Sequence, residues 1–314
     1  MKVGFIGLGN VGGKLSGSLL RNGVELMVHD LNPEFVSAKV AAGAVAGGSA
    51  RAMMRDCDAV ITCLPSPAAS AAVLAEMLPE VRAGKIWMEM STTDEAEVKR
   101  IGAEVIAAGG AAVDCPVSGG CHRADTGNIS IFAGCERETF ERILPLLTIM
   151  GRRVLHTGAL GSASVLKVLT NFLATANLVS VAEALTVAKG AGMDLGVAYE
   201  AMAISSGTSF VHETEGQVIL NGSRDISFTM DLVAKDIGLF QEVADRAGVP
   251  LELNPLLINI FQDGISRFGP RELSPNIIKR LEEATGLDVT APGFPAEMVD
   301  DEPEERGAEV IVKR

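Results

Sequence analysis

Positive charge is scarce in this chain. Its 27 lysines and arginines face 40 aspartates and glutamates, a formal net charge of −13. Nonspecific binding to a phosphate backbone or an anionic bilayer needs a basic face, so no nucleic-acid and no membrane partner is expected. Part of the acidic excess is local, in the run 300–305. Cysteine is sparse and odd in number: Cys57, Cys63, Cys115, Cys121 and Cys135 lack the paired spacing of a zinc site. They read as free thiols of a reducing compartment, with no metal site. The strand-like run VGFI starts at Val3 and leaves no room ahead of it for a charged segment and an apolar one, so a cytoplasmic protein is expected. The one long apolar run, 163–188, is broken by Lys167, Asn171, Asn177 and Glu183, which favours a helix buried within protein over a membrane span. Internal repeats and low-complexity segments are lacking as well.

What is present is core material. The chain has 314 residues, 47% of them hydrophobic, and a single core rarely grows past about 250 residues, so two domains are expected. From Lys2 to about His156, short apolar runs (VGFI, ELMVHD, DAVITCLP, KIWMEMS, AAVDCP, ISIFAG, RVLHT) alternate with helical stretches at 10–22, 34–42, 68–77, 94–108 and 136–147. Repeated β-α units imply a mostly parallel sheet covered on both faces. After Gly161 the strand signals stop, and helices are predicted near 162–190, 195–204, 231–247, 252–267 and 275–284. The fold class is therefore α/β: an N-terminal Rossmann, doubly wound parallel sheet over 1–161, then an all-α C-terminal domain over 162–288. Residues 289–314 form an acidic, proline-containing tail, either mobile or an arm that docks elsewhere. Roughly 28 residues at about 1.5 Å each make the first C-terminal helix about 40 Å long. That is more apolar surface than a small domain covers for itself, so a homodimer or homotetramer is expected.

Gly7-Leu8-Gly9-Asn10-Val11-Gly12 is G-x-G-x-x-G directly after a strand and at the opening of a helix. There the glycines permit a tight turn and let backbone amides and the helix N-terminus approach a pyrophosphate. The next strand ends in Asp30, 18 residues after Gly12, where a carboxylate can accept from both adenosine ribose hydroxyls. It would repel a 2′-phosphate, and no arginine follows closely, so NAD is favoured over NADP. A turn acid before Asn32-Pro33 is the other reading of Asp30. At later strand ends, Cys63-Leu64-Pro65 and Ser91-Thr92 fall where an open sheet presents its ligand crevice, positions that ordinary turns also occupy.

Asp114-Cys115-Pro116-Val117-Ser118-Gly119-Gly120 ends a further strand with a hydroxyl and two glycines. Exposed N–H groups in such a turn suit a carboxylate, although the same run serves as a structural turn. Lys167, with Asn171 four residues on, interrupts an apolar helix. One reading is a lysine whose stem packs while its ammonium snorkels to water; another is chemistry. Lys235-Asp236 lies near the start of a later helix.

The ordered set GLGNVG, Asp30, CLP, ST, DCPVSGG with TGNISIF, K-x-x-x-N at 167 and 171, SSGTS at 205–209 and AKDIGL resembles the β-hydroxyacid dehydrogenases, the family of 3-hydroxyisobutyrate dehydrogenase and tartronate semialdehyde reductase. The resemblance covers roughly residues 1–285. It implies an NAD-dependent interconversion of a small β-hydroxy acid and its semialdehyde, with a small carboxylate as substrate. By that resemblance Lys167 is similar to the catalytic lysine and Asn171 to the substrate-orienting asparagine. Ser118, Gly119 and Gly120 resemble the carboxylate-binding loop, Lys235 the lysine that closes over nicotinamide and substrate, and Leu64, Pro65 and Thr92 the nicotinamide-side positions. The role fits the chemistry, because hydride delivery to a carbonyl builds an alkoxide that needs a proton or a cation close by.

The departures are Val11, Cys115 and Ala163, all mild, and Cys121-His122-Arg123 where small residues are usual. Arg123 is expected to meet a second anionic or polar group on the substrate, or else to be a surface arginine paired with an acid. An imine reductase of the same fold usually lacks the lysine that this chain retains at 167. A noncatalytic NAD-binding regulatory protein would have no use for Lys167, Asn171 and Ser118 together.

Overall fold

Among the described residues, 1–313 of the computed structural model, ten strands join one sheet. They are β1 (Val3–Ile6), β2 (Leu26–His29), β3 (Val45–Ala46), β4 (Ala59–Thr62), β5 (Ile86–Glu89), β6 (Ala111–Asp114), β7 (Val117–Ser118), β8 (Ile129–Gly134), β9 (Gly151–Gly158) and β10 (Ala308–Glu309). Their spatial order is β10-β9-β8-β6-β5-β4-β1-β2-β3, with β7 paired to β8. All pairings are parallel except those of β6 and β7 with β8. The order reverses at β1, which has β2 on one side and β4 on the other. Beyond the carboxyl ends of β1 and β4 lies the crevice in which such sheets take ligands.

The strands are apolar almost throughout because both faces are covered. Side chains alternate across the sheet: Phe5, Ile61, Met88 and Val113 enter one core, while Ile6, Val60, Trp87 and Ala112 enter the other. The helices between strands are α1 (Asn10–Arg21), α2 (Pro33–Ala41), α3 (Ala50–Asp56), α4 (Pro67–Met77), α5 (Glu95–Ala107), α6 (Gly120–Asp125) and α7 (Arg137–Met150). Leu15 and Leu19 of α1, Ala124 of α6 and Phe140 and Leu147 of α7 seal the first core. Met53 of α3, Leu74 of α4 and Ile101 of α5 seal the second. Side-chain oxygens of Asn32, Ser49, Ser66 and Asp94 cap the N-termini of α2 to α5 at 2.9–3.2 Å.

By its contacts the chain divides into two compact units, Met1–Lys167 together with the segment from Asp300 onwards, and Val168–Val299. The boundary expected at 161 thus falls six residues later, inside α8 (Ser162–Gly190). The second unit continues with α9 (Leu195–Ala203), α10 (Phe210–Asn221), α11 (Met230–Ala247), α12 (Leu253–Phe268) and α13 (Lys279–Thr285), around a core that includes Leu185, Tyr199, Ile219, Ile237, Phe261 and Ile277. One of these helices, α10, is absent from the sequence pattern: it opens on Phe210 and Val211, holds Gly216 inside, and owes its start to the Ser209 hydroxyl, which accepts from His212 N at 3.0 Å. Along α8, Leu166, Leu169, Leu173 and Val187 are exposed. By length and composition alone α8 could cross a membrane.

The expected tail is docked along most of its length. Val289 is buried in the second unit, Ala291 N donates to Leu220 O at 2.8 Å, and Phe294 meets Tyr199 edge-on with ring centroids 5.0 Å apart. From Asp300 the chain runs along the first unit and forms β10, parallel to β9.

Candidate active site

The turn after β1 is built by steric exclusion. Gly7 has φ +93°, and a β-carbon there would lie 2.2 Å from Cys63 O, at the end of β4. A β-carbon on Gly12 would lie 2.0 Å from Gly7 O. Both positions require glycine so that α1 can start against the ends of β1 and β4. Gly9 differs: a β-carbon built on it meets nothing within 4 Å. Here α1 opens without a side-chain cap, whereas α2 to α5 have one. An exposed glycine at an uncapped helix N-terminus fits a pyrophosphate. Gly9 and Asn10 are exposed and Val11 half-buried, while Leu8 packs into the core. Asp30 belongs to the same construction, since Oδ2 accepts from Leu8 N at 2.6 Å and Oδ1 from Asn32 N at 2.8 Å.

A buried network joins the next two strand ends. Trp87 Nε1 donates to Thr62 Oγ1 at 3.0 Å, and Thr62 Oγ1 donates to Glu89 Oε2 at 3.0 Å. Glu89 Oε1 accepts from Ser91 N at 2.8 Å, and Ser91 Oγ accepts from Leu64 N at 2.7 Å. Glu89 is fully buried; burial raises its pKa, against hydrogen bonds from Ser91 and Thr62 that lower it. This chain fixes Leu64 and, beside it, the exposed Pro65 and half-buried Thr92 at the two strand ends. Sequence reasoning missed Glu89; the available signal was a lone acid inside the apolar run IWMEM.

At the end of β6 a second buried acid, Asp114, reaches the first turn of α8. Oδ1 accepts from Gly161 N at 2.7 Å, and Oδ2 accepts from Ser164 N at 2.7 Å and Ser164 Oγ at 3.0 Å. Burial raises its pKa, opposed by these bonds. A β-carbon on Gly134 would lie 2.3 Å from Asp114 Oδ1, so the neighbouring strand leaves space for the carboxylate. Two residues beyond Asp114, Pro116 turns the chain into β7, and Ser118 is followed by Gly119 and Gly120 with φ +130° and +87°. Arg123, for which the sequence left open a second substrate group or pairing with an acid, pairs with acids of the chain: its Nη2 lies 3.3 Å from Glu302 Oε1 and its Nε 4.0 Å from Asp300 Oδ1. Acids of the same chain are held at high effective concentration beside it, and they take the guanidinium.

Lys167 is only 8% exposed, which does not suit a snorkelling side chain. It shares a face of α8 with Asn171 at i+4. In the second unit Asn171 Nδ2 donates to Asp236 Oδ2 at 2.5 Å, and Asp236 Oδ1 lies 3.0 Å from Lys235 Nζ. One carboxylate, itself 2% exposed, therefore holds both predicted residues. From the sequence Asp236 stood out only as the neighbour of Lys235 in AKDIGL.

A doubly wound sheet carrying a glycine turn at its switch point and a carboxylate at the end of the second strand is the arrangement of a dinucleotide-binding protein. Comparison with known proteins narrows the class. Residues 2–158 match the family profile described as the NAD binding domain of 6-phosphogluconate dehydrogenase, and residues 161–281 the profile described as NAD-binding of NADP-dependent 3-hydroxyisobutyrate dehydrogenase. The chain is 32% identical over 294 residues to the 2-(hydroxymethyl)glutarate dehydrogenase of Eubacterium barkeri, covering 92% of this chain and 98% of that protein. It is 32% identical over 294 residues to the NAD-dependent L-serine dehydrogenase of Pseudomonas aeruginosa, covering 90% and 98%. A solved 3-hydroxyisobutyrate dehydrogenase from Salmonella typhimurium superposes with a TM-score of 0.81 at 29% identity, covering 89% of this chain and 99% of that one. The chain belongs to the 3-hydroxyisobutyrate dehydrogenase family of β-hydroxyacid dehydrogenases, and is an NAD(P)-dependent hydroxyacid dehydrogenase.

The two glycines make opposite predictions. Gly9→Ala should fold with a melting temperature near that of wild type but raise the NADH dissociation constant at least about tenfold, because its methyl occupies space left for the ligand. Gly12→Ala should lose roughly 1–3 kcal/mol of stability in urea titrations, because its methyl meets backbone. Equal stability loss in both variants contradicts this assignment.

Glu89 generates a pH prediction. Its folded pKa lies above the unfolded value, so its contribution to stability is fully present below about pH 4 and is lost as pH rises through the folded value. Glu89→Gln removes that loss. The melting-temperature difference, variant minus wild type, should grow more positive from about pH 4 to about pH 8, and a flat or falling difference would show that burial does not control this carboxyl.

Proposed function

We propose that the protein interconverts a 2-substituted 3-hydroxypropanoate and its semialdehyde, with NAD preferred to NADP and Lys167 as general acid/base. The observation that carries the mechanism is the buried position of Lys167 on a helix whose first turn is pinned by Asp114. The substrate class is supported by a shared chemistry: 2-(hydroxymethyl)glutarate, L-serine and 3-hydroxyisobutyrate, acted on by relatives, each carry a CH2OH on the carbon next to a carboxylate.

The nicotinamide cofactor, when bound, takes a hydride from the alcohol carbon or returns one to the aldehyde. In oxidation Lys167, as the neutral amine, accepts the hydroxyl proton; in reduction, as the ammonium, it returns that proton to the developing alkoxide. Asn171, held by Asp236, orients the same oxygen, and Lys235 supplies a second cation. The Ser118 hydroxyl and the amides of Gly119 and Gly120 hold the carboxylate. Leu64, Pro65 and Thr92 would line the nicotinamide side of the bound cofactor. NAD preference rests on Asp30, and on Leu31, which is 97% exposed and apolar where a 2′-phosphate would need a base. The reading includes a cytoplasmic protein without nucleic-acid or membrane partners.

The test is a spectrophotometric panel of 3-hydroxyisobutyrate, L-serine and 2-(hydroxymethyl)glutarate with both cofactors. kcat/KM should be higher with NAD, and Lys167→Ala should lower kcat by about 10²–10⁴ with NADH affinity unchanged. Near-normal turnover of Lys167→Ala removes the lysine from the mechanism.

The exposed leucines and Val187 of α8 follow a helical stripe that a second copy of the chain would cover. Sedimentation at micromolar concentration should show a dimer or tetramer; a monomer contradicts this part of the reading.

A further inference from the structure

We propose that the segment from Asp300 to Glu309 is a strap that positions the Ser118-Gly119-Gly120 loop, with Asp300 and Glu302 as its positioning residues. The inference rests on the reading of that loop as the carboxylate site.

The loop is poorly supported by its own sequence. Ser118 ends a two-residue strand, the two following glycines both have positive φ, and α6 is six residues long with Gly119 as its uncapped N-terminal neighbour. A helix of that length has little stability of its own, and glycines leave the backbone many alternatives. Something outside the loop must hold it.

The far end of α6 is where the strap grips. Asp300, with a side chain 3% exposed, accepts from the Thr126 hydroxyl and, at 2.7 Å, from Asn128 Nδ2. Asn128 Nδ2 also donates to Glu302 O at 2.9 Å, and Glu302 pairs with Arg123 at 3.3 Å. Burial raises the Asp300 pKa, but the bonds from Thr126 and Asn128 outweigh it and hold the carboxyl below its usual range. Arg21 of α1 closes the other side: it donates to Asp125 O at 2.5 Å and to both oxygens of Glu304 at 3.2 Å. Arg123, Asp125, Thr126 and Asn128 are thus all tied down, to the strap or to the helix that begins at the dinucleotide turn.

The strap is itself anchored. Glu305 pairs with Arg152 at 2.7 Å, Gly307 N donates to Thr148 O at 2.8 Å, and Val310 N donates to Val154 O at 2.8 Å. A β-carbon on Gly307 would lie 1.9 Å from Gly151 O, so the strap lies flush on the sheet edge. Glu309 pairs with Arg137 at 2.5 Å. Exposed ion pairs taken singly contribute little, whereas here a buried carboxylate, backbone pairing and several pairs act on one short segment. The local excess of acid at 300–305 has a use in this arrangement, as the complement of Arg21, Arg123 and Arg152.

The test uses the full chain, with NAD and 3-hydroxyisobutyrate as probe, comparing wild type with Asp300→Ala, Asp300→Asn, Glu302→Ala, Arg123→Ala, Arg123→Ala/Glu302→Ala and Ser118→Ala. Asp300→Ala should raise KM roughly tenfold, leave kcat within about twofold and NADH affinity unchanged, and speed hydrogen exchange of amides 118–126. Asp300→Asn, which keeps an acceptor oxygen, should restore most of the KM. Arg123→Ala and Glu302→Ala should not add in the double variant, because each acts through the other. Unchanged KM in Asp300→Ala, or a fall in kcat and NADH affinity together, overturns the proposal. Additive effects assign Arg123 to the substrate and also overturn it. If Ser118→Ala leaves KM unchanged, the carboxylate assignment itself fails; if it raises KM while the strap variants do not, only the strap is wrong.

Discussion

No β-carbon fits where β1 ends. The carbonyl of Cys63 stands where a Gly7 side chain would begin, and the carbonyl of Gly7 stands where a Gly12 side chain would begin. This double contact brings the start of α1 down onto the two central strands and leaves Gly9 as the exposed member of the turn. The Leu8 amide then meets Asp30 at the end of the neighbouring strand. The proposed pyrophosphate site and ribose-reading carboxylate both follow from one close approach of backbone to backbone.

Behind each group of proposed reacting residues stands a buried carboxylate that touches none of the expected chemistry. Glu89 holds Ser91 and through it Leu64; Asp114 holds the first turn of the helix that carries Lys167; Asp236 holds Asn171 and Lys235. Carboxylates are suited to this because one accepts several N–H or O–H donors at once and draws their positions together. Fixed donors offset part of their desolvation, which couples the order of the site to the order of the elements around it.

Local signals carried the first unit's architecture and the dinucleotide turn, because both depend on residues close in sequence: G-x-G-x-x-G, apolar runs of four to eight residues, and a strand-terminal acid. The roles of Glu89, Asp114 and Asp236 were hidden, since their partners are defined by strand order and helix packing rather than by spacing. For α10 the pattern was misleading, with a β-branched and aromatic opening and an internal glycine that only burial of Val218, Ile219 and Leu220 overrides. Arg123 shows the same limit from the other side. Its position after the glycine pair left a ligand contact and an acid partner both open, and nothing within a hundred residues indicated that Glu302 and Asp300 would be the acids that reach it.

The edge strand β10 has a consequence for biosynthesis. It is paired with β9, yet residues 168–299 are translated between them. A nascent chain can therefore assemble the dinucleotide-binding sheet only as far as β9 and must leave that edge unpaired while the whole helical unit is made. An open parallel edge is a template for other strands. The ribosome-bound protein is most exposed to edge-to-edge association during that interval, and Arg152, whose partner Glu305 has not yet been made, adds a positive charge there that discourages pairing with another copy of itself.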